Sequence, residues 1–482
     1  MKFARYVGGR CSDPEYASLL EKADAVVDTA RGTGNVAVSF VRRGARSGPM
    51  QMRWQAITRD LFDLSAMLYV ADELAKRDEA WTRRLQFTVP VVDPAIWSSN
   101  EDLLADIFGF LTGDTYEFRW IPTRRPEGYG RHRVQLPRGR HTVVCMFSGG
   151  LDSLMGTVRL LEAGESVMLV GHHADGVTST AQRELFNMLH RRFGNRVELV
   201  QCGLRQSSRR KPTFELPEIR LKENSHRARS FLFLALGFAV ASGAAVDRMV
   251  LAENGLIALN PPLGASRVGS LSTRTAHPRF LGDLLSCVHS MGAFNGRLEN
   301  PFLYESKTDM MSDIQGWLEP LVRRSVSCAH AATSVRWADQ KGVLHCGYCV
   351  PCIFRRVALM SVDLDDPADY CEDVFRELHN LTEAKQVDMR FLVRFAMRVV
   401  SAGAAQLRSF VVSHGTFPAD IGQRIGPYEA ADYGPWADML SRWAHDFLSR
   451  LDQCGSAETK CLLGVGTRRR LQGASERARR AK

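Results

Sequence analysis

Ser148, Gly149, Gly150, Leu151, Asp152 and Ser153 form a run, SGGLDS, whose residue types suit the binding of an anion. An apolar, β-rich stretch (142–147) precedes it, and a helical pattern (154–163) follows and ends at Gly164. A strand, a glycine-rich turn and a helix start together make a cradle of free main-chain N–H groups. The glycines let the backbone bend and approach a phosphate closely. The hydroxyls of Ser148 and Ser153 add donors. Asp152 beside them suits Mg2+, a hard cation that prefers oxygen ligands. No Gly-Lys-Ser/Thr follows four residues after a glycine, so this is not a Walker A loop.

A second cluster carries different chemistry. Cys346, Cys349 and Cys352 lie within seven residues, and Cys328 precedes them by 18. Four thiolates suit a closed tetrahedral Zn2+ site, and an iron–sulfur cluster can use similar spacing. His330 and His345 are alternative ligands, although each reads better as an ordinary surface or core histidine. Cys145 and Cys202, inside strand patterns, read as small apolar core residues. Eleven cysteines in a chain of cytosolic type point to metal or chemistry more than to disulfides.

The elements that position these groups follow from length and pattern. A chain of 482 residues implies two or three domains, and 45% hydrophobic with 24% charged residues is ordinary for a globular protein. Residues 1–20 hold no apolar signal-peptide core. The longest apolar run, 231–246, contains Ser242 and Gly243 and is short for a membrane span. A cytoplasmic protein with no membrane partner is expected. The net charge is +10, and residues 467–482 carry seven Lys/Arg and one Glu, so this tail supplies +6 of it. The tail could bind nucleic acid, but it reads better as a solvated, disordered end.

Residues 1–135 read as an α+β accessory domain. It has strands at 35–42, 85–92 and 116–121, a strand partner near 50–54, and helices at 60–77 and 101–111. Residues 122–140 read as a linker rich in Gly, Pro and Arg. From 141 the pattern alternates strands (142–147, 167–170, 197–202, 248–252) with helices (154–163, 181–193, a long one to 241). The long helix would be capped by Asn224 or Ser225. That alternation predicts an α/β fold with a parallel sheet and helices on both faces. Residues 204–223, polar and basic, read as a mobile loop at the carboxyl edge of the sheet, where such folds bind ligands. Residues 361–466 read as a helical region.

With both motifs placed, residues 141–360, about 45% of the chain, resemble the QueC (7-cyano-7-deazaguanine synthase) family of PP-loop ATPases. The resemblance rests on SGGLDS, the segment 301–309 with Lys307 before Asp309, Cys328, and the run Cys346 to Arg355. It implies the PP-loop, adenine nucleotide alpha-hydrolase-like fold and a four-cysteine zinc site formed by Cys328, Cys346, Cys349 and Cys352. It also implies ATP and Mg2+ at residues 148–153. Lys307 and Arg229 would act with Asp152, and Glu253, Asn254 and Arg274 would meet the substrate. His172 and His173 stand where adenine would stack. The family's Tyr-Gly-Gln and Tyr-Pro-Asp-Cys-Arg segments are absent, so the substrate pocket is expected to differ.

Residues 1–140 and 361–482 have no counterpart in the compact synthase. With them the chain resembles the larger QueC-like proteins of anti-phage defence operons, the Qat and type IV CBASS systems. The resemblance implies ATP-dependent adenylation of 7-carboxy-7-deazaguanine. Amide formation with an amine would follow, that amine being the amino terminus of an operon-encoded partner protein. Three alternatives stand beside this: a synthase that uses ammonia, a tRNA-modifying PP-loop enzyme, and a zinc-stabilised scaffold without activity.

Overall fold

The computed structural model of the chain describes residues 1–30, 33–44, 48–49, 54–77, 82–124, 136, 138–172, 175–206, 212–217, 223, 226–261, 274–312, 314–331, 343, 345–414 and 433–465. Eleven strands lie among them: β1 (Lys2–Arg5), β2 (Ala25–Val27), β3 (Val36–Arg43), β4 (Gly48–Pro49), β5 (Arg84–Val91), β6 (Thr115–Pro122), β7 (Val143–Met146), β8 (Val167–His172), β9 (Val197–Gln206), β10 (Arg248–Val250) and β11 (Arg297–Glu299). The large sheet has the order β11-β10-β7-β8-β9-β3-β4. Its first five strands are parallel, and β3 and β4 close it antiparallel. A second sheet, β2-β1-β5-β6, is parallel throughout.

The large sheet is covered on both faces because its strands are apolar on both. Val144, Met146, Met168, Val170, Val200 and Cys202 belong to the core under helices Arg229–Ala244 and Ala56–Leu74. Their neighbours Val143, Cys145, Val167, Leu169, Val197 and Leu199 belong to the core under helices Leu151–Glu162 and Gly176–Phe193. Successive side chains of a strand point to opposite faces, so continuous apolar runs read as buried parallel strands. Helix Arg229–Ala244 is apolar almost all round, as a helix sandwiched between the sheet and Ala56–Leu74 must be.

The first 135 residues depart from the α+β expectation. Their own sheet is all-parallel. Moreover β3 does not join it: it pairs with β9 over eight residues, and β4 pairs with β3. The strand partner expected near 50–54 is Gly48–Pro49, and residues 50–53 lie outside the described residues. Pro90 sits inside β5 without harm. β1 pairs only with residues 86–88 of β5, so the missing N–H of Pro90 falls beyond the end of β1. Asn224 and Ser225 lie outside the described residues, and Ala228 stands at the N-cap of Arg229–Ala244 with no side-chain cap. Residues 204–206 extend β9, and Phe214 packs edge-on against Tyr6, with the carbonyl of Phe214 accepting from Asn35 Nδ2 at 3.2 Å. The described part of the expected loop is therefore fastened to the first block. The basic tail 467–482 lies outside the described residues.

A buried charge network joins the edge of the small sheet to helix Ala56–Leu74 and the start of helix Arg229–Ala244. Asp114 accepts from Arg77 at 2.5 and 2.8 Å and from Arg83 Nη2 at 2.5 Å, and Arg83 also reaches Asp72 at 2.6 Å. The other oxygen of Asp72 accepts from the main-chain N–H of Ala228 at 2.9 Å. Burial alone would raise the Asp114 carboxyl, but the bonds from Arg83 and Arg77 outweigh it and hold the carboxyl below its ordinary value. A depressed carboxyl stabilises the fold above its unfolded pKa and loses that contribution as pH falls through the folded one. Asp114→Asn is therefore expected to destabilise the protein by about 3 kcal/mol at neutral pH. In urea unfolding, the gap to the wild type should narrow below about pH 4. A pH-independent gap would refute this.

Candidate functional site

The order of the large sheet creates one switch point. From β7 the chain proceeds outward through β8 and β9, then returns to lay β10 and β11 on the other side of β7. The crevice beyond the carboxyl ends of β7 and β10 is where open α/β sheets bind ligands. The SGGLDS loop leaves β7 there, and residues 251–254 leave β10 there.

Gly149 adopts φ +84°, a conformation that favours glycine, and Gly150 caps helix Leu151–Glu162 without a side-chain bond. The helix thus begins earlier than its apolar pattern suggests and takes Asp152 and Ser153 into its first turn. Among the described residues, the main-chain N–H groups of Asp152 and Ser153 have no protein acceptor. Ser148 Oγ accepts from Gly150 N at 3.2 Å and lies 3.2 Å from Ser153 Oγ. The arrangement offers donors and a helix start to an anion.

Two features that sequence reasoning missed hold this loop. The fully buried Gln182 donates to the carbonyls of Ser148 and His172 at 3.3 and 3.4 Å, and its own oxygen accepts from Gln201 at 2.9 Å. Residues 326–327 run alongside: Val326 N donates to the Gly149 carbonyl at 2.9 Å, and Leu151 N donates to Ser327 Oγ at 3.2 Å. The position of Ser327 directly before Cys328 was the available signal. Gln182 gave none, being one polar residue on an amphipathic helix.

Asp152 and Lys307, 155 residues apart in sequence, are in direct contact, Lys307 Nζ donating to Asp152 Oδ1. Asp152 Oδ2 accepts from Asn254 Nδ2 at 2.7 Å. Lys307 opens the short helix Lys307–Met310, which is fixed by a capping box between Ser306 and Asp309. Arg442, from helix Tyr433–Cys454, donates to the Tyr304 carbonyl at 3.1 Å and lies 3.3 Å from Asp309. Arg159 makes a two-pronged pair with Glu305 at 2.9 and 3.0 Å and lies over the Phe302 ring.

The other expected residues are placed differently. Asn254 is fully buried, and both ends of its amide are engaged: Nδ2 on Asp152, and Oδ1 as acceptor from Ile257 N at 3.1 Å. It orients Asp152, and those bonds leave it poorly suited to read a base edge. The main chain of Glu253 is held by Asn300, which accepts from its N–H at 3.3 Å and donates to its carbonyl at 2.9 Å. Arg274 lies over the Phe110 ring and donates to the Phe110 carbonyl at 2.7 Å. Burial and then neighbouring Arg279 lower its pKa. Half-buried Arg229 makes no salt bridge among the described residues and stands near Tyr69, whose ring meets His172 edge-on. His172 is itself 2% exposed, too covered to offer a stacking face, and His173 lies outside the described residues.

Comparison with family models and with curated proteins finds no match.

The cysteine cluster forms as the spacing suggests, with one addition. The ligating atoms of Cys328, His330, Cys346 and Cys349 lie within 4.8 Å of one another, and Cys352 Sγ is 3.9 Å from Cys346 Sγ. Tetrahedral Zn–S bonds of about 2.3 Å put sulfurs about 3.8 Å apart, so the cluster fits a metal ion such as zinc. His330, expected outside the site, is in it, with Nδ1 3.6 Å from Cys346 Sγ. His345 is outside: it is buried against Tyr370, and burial drives its pKa down to about 3. Cys328 Sγ accepts from the N–H groups of His330 and Cys346, both at 3.3 Å. Contacts from Cys328, Cys349 and Cys352 push the Cys346 thiol down. Cys349, by contact with Cys328, and Cys352, by burial, are pushed up. Gly347, at φ +85°, permits the turn, since a side chain there would collide with the Glu372 carbonyl.

Metal analysis should therefore find about one zinc per chain. Because binding is coupled to local folding, Cys349→Ser should lose it and melt on the order of 5 °C lower. Stable metal-free protein, or iron with sulfide, would contradict this.

Proposed function

We propose that this chain is an ATP-dependent, AMP-forming carbon–nitrogen ligase of QueC-like, PP-loop type. The observation that carries the reading is the meeting of the SGGLDS helix start with Asp152 and Lys307 at the switch point of the sheet. The bound ATP would lay its pyrophosphate portion along residues 148–153. The carboxylate of Asp152 and the hydroxyls of Ser148 and Ser153 are the oxygen donors that would hold Mg2+, which would supply charge neutralisation at the phosphates. Lys307 would meet charge developing on the departing pyrophosphate.

In the first step a carboxylate oxygen of 7-carboxy-7-deazaguanine attacks the α-phosphorus. The bond from that phosphorus to the αβ-bridging oxygen breaks, and pyrophosphate leaves. In the second step an amine attacks the acyl carbon, AMP leaves with the former carboxylate oxygen, and the amine gives up a proton. The chain needs no nucleophile of its own. Its work is to position the reactants and stabilise charge. Arg229, half-buried and without a salt bridge among the described residues, is the better candidate for the substrate carboxylate, because Arg274 is engaged with Phe110.

The amine is proposed to be the amino terminus of a partner protein in an anti-phage defence system, with a four-cysteine zinc site bracing the loop. Ammonia is the competing acceptor. The fastening of Phe214 against Tyr6 favours it, because it ties down part of the segment expected to open for a macromolecule.

ATP:pyrophosphate exchange tests the first step. Activity should require the carboxylate substrate and fall at least about 100-fold in Asp152→Asn, with the fold retained. Formation of ADP and orthophosphate would remove the adenylation reading. For the second step, ATP, 7-carboxy-7-deazaguanine and the operon partner are combined. A mass increase on the partner is expected. Free 7-cyano-7-deazaguanine from ammonium, with the partner unmodified, would transfer the assignment to the ammonia-using synthase.

A further inference from the structure

Both oxygens of Asp152 are engaged. Oδ1 carries Lys307 Nζ, and Oδ2 takes Asn254 Nδ2 at 2.7 Å with the Asn254 main-chain N–H at 3.5 Å. The two ion-paired side chains are 8% and 9% exposed. The charges that flank Lys307 in the chain are committed elsewhere. Glu305 is held by Arg159, and Asp309 serves the capping box and faces Arg442. A divalent cation arriving from solvent meets a carboxylate already neutralised by an ammonium. Among the described residues, Lys307 pairs with no second carboxylate.

Displacing Lys307 without giving it a new anion would strand a buried ammonium, and breaking such a pair weakens the competing complex by about 100-fold or more. The anion that could receive Lys307 is one bound in the cradle directly beside it. The N–H groups of Asp152 and Ser153, without an acceptor among the described residues, and the hydroxyl of Ser148 make that cradle suited to a polyphosphate, while the Ser153 hydroxyl donates to the Gly150 carbonyl at 3.0 Å. Once a phosphate takes over the ammonium, the carboxylate is released for a metal ion.

We propose that Lys307 is a selectivity residue: it denies Asp152 to a free divalent cation, so that the loop accepts the cation only together with a polyphosphate. Lys307 thereby acts on ligand choice as well as on charge in the reaction. The polyphosphate half of this statement rests on the nucleotide reading given above. The exclusion half rests on the ion pair alone.

The test is a Mn2+ titration followed by electron paramagnetic resonance, on full-length protein with zinc at the cysteine cluster. The wild type should show no Asp152-dependent Mn2+ site alone and gain one, at least tenfold tighter, with an ATP analogue blocked between the α and β phosphates. Lys307→Met should bind Mn2+ without nucleotide at least tenfold more tightly than the wild type, and the added Asp152→Asn change should abolish that site. Lys307→Gln serves as a second variant, with circular dichroism checking that each is folded. Nucleotide-free binding in the wild type as tight as that with the analogue, and lost in Asp152→Asn alone, would overturn the proposal, and this arm depends on no change at Lys307. Equilibrium dialysis of the analogue separates the two ideas. If the analogue binds and neither Lys307 variant gains a Mn2+ site, the selectivity proposal fails while the nucleotide reading stands. If the analogue does not bind but the variants gain the site, the nucleotide reading fails and the exclusion by Lys307 stands.

Discussion

Two hydrogen bonds tie the glycine loop to the segment that leads into the cysteine cluster. Val326 N–H to the Gly149 carbonyl, and Leu151 N–H to Ser327 Oγ, fasten the glycine loop to the strand of chain that enters the cysteine cluster at Cys328. Arg355, three residues past Cys352, closes the frame from the other side by donating to Ser325 Oγ and the Val322 carbonyl, both at 2.7 Å. A left-handed glycine at 149 has little rigidity of its own. Its geometry is set by what it leans on, and here that is a segment anchored by thiols at one end and a buried guanidinium at the other. A metal at the cysteines would therefore shape the loop without touching its ligand.

The same logic explains why the site needs the sheet order it has. β7 and β10 are neighbours in space yet separated in sequence by two other strands, and only at such a junction can loops from both reach one point. Asp152 comes from the first loop and Asn254 from the second, and Lys307 opens the short helix that follows β11, the strand beside β10. A buried carboxylate with an ammonium on one oxygen and an amide on the other is held in a single orientation.

What the sequence made legible was local. The glycine loop, the cysteine spacing and the alternation of strands with helices each lie within a short window, and each is found where expected. What it hid was pairing at a distance. Residues 35–42 read as a strand, but period-two alternation does not say which sheet receives it, and β3 joins the large sheet against β9. The resemblance puts Asn254 at the substrate, yet its amide is engaged by Asp152 and by a helix cap. In sequence His330 and His345 stand alike as alternative ligands that read better as ordinary histidines, and nothing local separates them. Only the fold brings the His330 ring to the thiols.

The first block also changes meaning once its contacts are seen. Asp72 bonds the N–H of Ala228, and Arg227 donates to the Thr112 carbonyl from a fully buried position. Burial, and then its neighbour Arg77, lower the Arg227 guanidinium to about 10. A side chain so placed is costly in isolation. It is tolerable here because Asp72 and Asp114 supply compensating charge from the adjoining helix and the small sheet. These bonds fix the residues immediately before Arg229, so the start of its helix depends on residues 72 and 112. Residues that resemble an appendage in sequence are, in the fold, part of the frame that holds the start of the helix carrying Arg229.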